Sequence, residues 1–217
     1  NLIRKLLILI FLVFFSMPLL AFSSSGFLIS QSAFKNYDYS AALSNFSNKE
    51  IKLSSTNLLD KVISAVIIED IDLANKIATK ILNDDDENQE AHIVNLVYLY
   101  SNKNFNKIKE IQKKIKDKNE LVDFIFFNNE ELKNNSTISK SLVDVVISSF
   151  SSSEQKTLNY NFLLFYTSLA KIIDNTNDRA TLIKGELFQN VAQSKVAEKN
   201  YLMIEPNSSF YLEAQKS

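Results

Sequence analysis

The chain has 217 residues, 46% hydrophobic and 23% charged, and its 24 Lys+Arg against 25 Asp+Glu leave a net charge of −1. That balance lacks the basic excess of a nucleic-acid binder, and the absence of Cys removes disulfides, thiolate zinc sites, cysteine nucleophiles and lipid-modified cysteines. The only glycines, Gly26 and Gly185, cannot build a phosphate loop, a dinucleotide fingerprint or a nucleophile elbow, and so few turn-formers argue against an all-β sandwich.

In chain order, Arg4 and Lys5 precede an apolar run from Leu6 to Phe15, Pro18 interrupts it, and Ala21 and Ser23 supply small residues. This is the pattern of a secretory signal peptide over 1–23, with cleavage expected after Ser23 or, alternatively, after Ala21. Leu6 to Phe22 spans about 25 Å as a helix, short of a hydrocarbon core of roughly 30 Å. An uncleaved N-terminal anchor is the other reading. Both place the remainder outside the cytoplasm, periplasmic or anchored to the inner membrane and facing the periplasm. Removing the segment takes two positive charges with it, so bulk attraction to a membrane is not expected, and membrane contact is confined to the segment itself.

Beyond the signal the periodicity is helical. Ile63, Val66 and Ile67, then Leu73, Ile77 and Ile81, fall three and four apart, as do Val94, Val97 and Tyr98. The pattern continues through Ile108, Ile111 and Ile115, then Leu142, Val145 and Val146, then Phe162, Phe165, Tyr166 and Leu169. Clusters of Asn, Asp, Ser and Lys separate these blocks and suit helix caps. The expectation is an all-α chain of antiparallel neighbours joined by short connections.

Spacing within the helices repeats. Ser30-x2-Ala33 is followed after eight residues by Ala42 and then Phe46, and Gly185-x2-Phe188 by Ala197 and then Tyr201. Weaker copies run Val62, Ala65, Ala74, Ala78 and Leu96, Leu99, Ile108, Gln112. From Ala42 to Ala74 to Ile108 the steps are close to 34 residues, and Asp38-Tyr39, Asp70-Ile71 and Asn104-Phe105 echo at the turns. The chain therefore resembles tetratricopeptide repeat (TPR) proteins of the exported bacterial kind, and the Lys199–Ala214 stretch is similar to a junction between hairpins in that group. The departures are the missing Trp, the lack of Pro closing the early repeats and the polar Gln112 at an aromatic site.

The resemblance implies a right-handed solenoid of TPR-like hairpins over 24–118, a degenerate helical stretch over 119–174, and a hairpin with the start of a truncated next helix over 175–217. A non-repetitive helical bundle is the alternative. The implied function is a non-enzymatic scaffold for protein–protein interaction in the cell envelope, holding a protein or peptide on its concave face. The alternatives are a membrane-anchored assembly factor and the recruiting arm of an enzyme whose catalytic part lies elsewhere. Carried over position by position, the inner face falls on Gln31, Phe34, Lys35, Tyr100, Arg179, Glu186, Gln189 and Asn190.

Candidate chemistry is sparse. His92, the only histidine, has no nucleophile elbow beside it and reads as a packed or exposed helix residue. Asp84 to Glu87 lacks the glycine of a calcium loop, and Asp86 with Gln89 reads as a capping box. Lys103, Lys107, Lys109, Lys113, Lys114, Lys116 and Lys118 form the wet face of one amphipathic helix, and Phe124 to Phe127 reads as a core helix. Glu130 and Glu131 are adjacent on an expected helix end and point apart, so they cannot flank one substrate bond. No catalytic residue, cofactor or metal ligand is expected.

Overall fold

The computed structural model describes residues 26–44, 55–115, 119–128, 131–151 and 158–217. The expected signal segment 1–23 lies outside the described residues, as do Phe46, Lys116, Lys118 and Glu130. The chain divides into two compact units, residues 1–50 and 51–217.

In the first unit residues 26–35 form α1 and Tyr39–Ser44 form α2. Ser30 donates to the Ala42 carbonyl, and Tyr39 and Ala42 are buried, so the small residues meet where the two helices touch. Burial raises the Tyr39 phenol well above its ordinary value, with Tyr37 adding to the shift.

The second unit runs α3 (Ser55–Ile67), α4 (Ile71–Asp84), α5 (Gln89–Ser101), α6 (Phe105–Ile115) and α7 (Glu120–Phe126). After the strands β1 (Phe127–Asn128) and β2 (Glu131–Leu132) come α8 (Asn135–Ser151), α9 (Tyr160–Ile173), α10 (Asp178–Asn190), α11 (Ser194–Tyr201) and α12 (Tyr211–Ala214). Among the described residues the two-residue antiparallel pair β1–β2 is the one departure from helix, pairing Phe127 with Leu132 and Asn128 with Glu131. Glu131 is thus in a strand rather than on a helix end. Ile125, Phe126 and Phe127 are buried as a core run should be, whereas Phe124 is exposed.

One turn recurs at the α1–α2, α3–α4, α5–α6 and α10–α11 connections. Tyr37, Glu69, Lys103 and Ala192 each take a left-handed conformation, with φ of 60, 67, 55 and 60°. At each, the N–H of this residue and the next reach back to the preceding helix: Glu69 to Val66 and Asp70 to Ala65, Ala192 to Gln189 and Gln193 to Phe188. These are paired Schellman bonds, which satisfy carbonyls that a helix end leaves bare. In three of the four turns the next side chain then caps the following helix: Asp38 accepts from Ala41, Asp70 from Leu73 and Asn104 from Lys107. Gln193 makes no such bond.

A larger repeat follows. α4 and α9 match in length at an offset of 89 residues, and so do α5 and α10. The connecting loops match too: Asp85 and Asp174 both leave the helix with φ −143°, and Asn88 and Asn177 both cap the next one through Ala91 and Ala180. The same offset pairs Lys103 with Ala192 at the turn, the start of α6 with that of α11, and buried Ile125 of α7 with buried Ala214 of α12. Asn88, rather than Asp86, is therefore the cap of α5: Asp85 draws the Glu87 N–H into a tight side-chain turn that puts Asn88 at the helix entrance.

Neighbouring helices pack in sequence, α3 on α4, α4 on α5, α8 on α9, α9 on α10 and α10 on α11. In a purely sequential stack each unit meets only its neighbours. Here α9, buried along most of its length, also packs on α3 and α5 and forms the centre of the unit.

Candidate functional site

The α3–α4 turn is seated on α9 and α10. Burial of Val66 and Ile67 fixes the end of α3, and the left-handed Glu69 then projects its carboxylate outward. Lys184 of α10 donates to that carboxylate at 2.7 Å and to the Ile67 carbonyl at 3.1 Å, and Lys171 of α9 reaches the same oxygen at 3.1 Å. Lys171 also meets the sulfur of Met203, just past α11. Burial pushes the Lys184 ammonium below the ordinary lysine value, against the pull of Glu69. For Glu69, burial pushes the carboxyl up, but Lys184 and Lys171 together outweigh it and hold the group below the usual carboxylate range. The seat is a small charge-paired socket for a helix C-terminal turn.

At the 89-residue offset Lys171, Lys184 and Met203 correspond to Leu82, Asn95 and Lys114. These three residues line an open groove of about 1240 Å³. Ile111, Ile115 and Leu121 supply apolar surface in it, and Asp86, Glu87 and Glu120 supply carboxylates. His92 lies on its wall with Nε2 at 2.7 Å from the Asp86 carbonyl. A carbonyl only accepts, so Nε2 carries the ring proton in this bond. The other ring nitrogen, Nδ1, is buried without a hydrogen-bond partner.

A smaller groove of about 360 Å³ opens beside α11 and α12, lined by Gln189, Ala197, Tyr201, Ala214 and Ser217 among others. Gln189 donates to the Ser217 carbonyl and accepts from the Tyr201 hydroxyl at 3.0 Å. The Tyr201 ring lies over Gly185, where even a methyl group would collide with it.

The residues assigned to the inner face fall in both units. Gln31, Phe34 and Lys35 belong to the first unit; Phe34 packs edge-on against Tyr39 at 6.1 Å, and Lys35 is exposed at the end of α1. Tyr100 is 1% exposed, stacked on Phe126 at 5.8 Å and edge-on to Phe105, with its hydroxyl directed to the Phe126 carbonyl. Its assignment to a partner-facing surface is corrected: it is a core residue, and burial lifts its phenol to about 12. Arg179 is exposed on the first turn of α10, roughly 15 Å along the helix from Gln189. Glu186, Gln189 and Asn190 do share the last turns of α10. Glu186 is half-buried, and burial, then the charge of Glu213, raises its carboxyl.

The periodicity missed the Glu69 socket because its partners lie 102 and 115 residues away. The one local signal was Lys184 itself, a lysine between the apolar pairs Leu182-Ile183 and Leu187-Phe188. Among the described residues no group of His, Asp and Glu is placed to hold a metal ion, and no helix is long and apolar enough to cross a membrane. No family model, curated protein or solved structure matches the chain.

Proposed function

We propose that this chain is an exported, non-enzymatic scaffold of TPR-like hairpins that binds a protein segment in the cell envelope. The observation that carries this reading is the recurrence of one helix–turn–helix geometry, capped the same way at several turns, in blocks that each present a groove. Repeated hairpins that stack present long, shallow surfaces suited to polypeptide partners. The two grooves combine apolar floors with polar rims, the composition of a peptide-binding surface. The solenoid form, the TPR relationship and the periplasmic location belong to this proposal.

A photocrosslinking amino acid placed in living cells at His92, Gln189 and, as a control, exposed Lys140, which lines neither groove, tests the reading. Protein adducts concentrated at His92 or Gln189 support a scaffold, and adducts absent from both sink it. Sequencing the N-terminus of the envelope form should give a start at Ser24 or Phe22; an intact Asn1 with membrane retention shows the anchored form instead.

A further inference from the structure

The two four-helix blocks offer an internal guide to the occupant of the larger groove. In α9–α12 the seat formed by Lys171, Lys184 and Met203 is filled by the end of α3, with the Ile67 carbonyl and the Glu69 carboxylate both bound. In α4–α7 the corresponding Leu82, Asn95 and Lys114 line the larger groove, with the Asn95 amide donating to Asn75 at 2.9 Å. Thr181, the counterpart of His92, is 3% exposed beneath the filled seat, whereas His92 is only half-buried. The same backbone frame thus holds a helix C-terminal turn in one copy, and no described residue takes that place in the other.

Charge distinguishes the occupants. The filled seat has two lysines, the rim positions Asn175, Thr176 and Ser209 are neutral, and Asp178 stands where the groove has Gln89. In the open groove both lysines are replaced by uncharged residues, and the matching rim positions are Asp86, Glu87 and Glu120. Among the described residues Lys114 is the single basic one in the lining, against Asp86, Glu87 and Glu120, so the described lining favours a cation where the filled seat favours an anion.

We propose that the groove between α4, α5, α6 and α7 receives the C-terminal turn of a partner protein's helix, presented as Ile67–Glu69 is presented to α9–α11 but carrying a basic side chain in place of Glu69. This rests on the scaffold reading and names the partner's chemistry. The apolar flank of the turn lies along Leu82, Ile111 and Ile115, and its lysine or arginine meets the Asp86–Glu87 rim.

The test uses the full chain and two labelled peptides of about 16 residues, long enough to form a helix. They are alike in an Ala/Leu-rich body and differ only in a Lys or a Glu in the last turn. Because His92 is the sole histidine, its imidazole gives one NMR signal that reports occupancy, and fluorescence anisotropy gives affinity. The Lys peptide should shift the His92 signal and bind about tenfold more tightly than the Glu peptide, with the difference shrinking at high salt. Asp86→Asn with Glu87→Gln, both on the exposed loop, should abolish the preference while leaving the circular dichroism unchanged. Equal binding of the two peptides, or a His92 signal unmoved at saturation, overturns the proposal. A Lys peptide that binds elsewhere does so too while leaving the scaffold reading intact, which falls only if crosslinks are absent from both grooves in cells.

Discussion

In α4–α7 the ring of Tyr100 stacks on Phe126 and closes the space behind α5. In α9–α12 the matching positions hold Gln189 and Gln215, and that space is the smaller groove. On the other side the relation reverses: the socket of α9–α11 is filled by the α3–α4 turn, and its counterpart around His92 is the larger groove. One backbone path is thus completed in two ways, and each block leaves open what the other fills. A third exchange lies between them. Gly185 under the Tyr201 ring corresponds to Leu96 and Gln112, so bulk has moved from one helix of the hairpin to the other.

The strongest way to break this comparison is to empty the filled side of the first block. Tyr100→Ala should cost about 3–5 kcal/mol in chemical denaturation, in line with large-to-small aromatic substitutions in cores. Gln189→Ala at the matching exposed position should stay within about 0.5 kcal/mol. Equal effects would dissolve the distinction between core and groove. Gly185→Ala should cost about 1–3 kcal/mol by pressing a methyl group into the Tyr201 ring. Adding Tyr201→Gln, which copies the Leu96–Gln112 arrangement, should recover most of that loss.

The socket gives a smaller effect with a pH signature. Lys184→Met should cost about 1–2 kcal/mol, less than the usual loss on stripping a buried ion of its partner, because Lys171 remains and Glu69 is partly exposed. The Glu69 carboxyl titrates lower in the folded chain than in the unfolded one. Its contribution is therefore full above the unfolded value of about 4.3 and is lost as pH falls through the lower folded value. Glu69→Gln should flatten the acid limb of a plot of stability against pH, and an unchanged limb would show that the pairing adds nothing. The smallest change runs the other way. Ala192→Gly should stabilise the chain by about 0.5–1 kcal/mol, because a left-handed backbone carries no side-chain penalty at glycine.

The helical elements were legible because their cores are local. Ile77 and Ile81, or Val94 and Val97, need only a 3.6-residue period to be recognised as buried. The hairpin positions were legible as well: Ala65 and Ala74, and Gly185 and Ala197, do lie where helices meet. The 89-residue match left no motif, since the two blocks have few residues in common and length is the only trace of it, so 119–174 reads from sequence as a degenerate stretch. Tyr100 was misplaced because the inner-face assignment ignores what a distant segment, here Phe126, packs against it. The Glu69 socket joins residues with no local relation, so no window of sequence contains it.

The left-handed turn tips carry a last consequence. A chain with two glycines places Tyr, Glu, Lys and Ala at four positions that glycine would occupy without strain. A glycine at residue 69 would ease the local backbone and leave the turn mute. Glutamate accepts the local cost, of order 1 kcal/mol, and gains a side chain that ties the first hairpin of the unit to helices more than a hundred residues away. The tips of Tyr37, Lys103 and Ala192 share that backbone, so changing one residue at a tip can rewire which hairpins touch without altering the hairpins themselves.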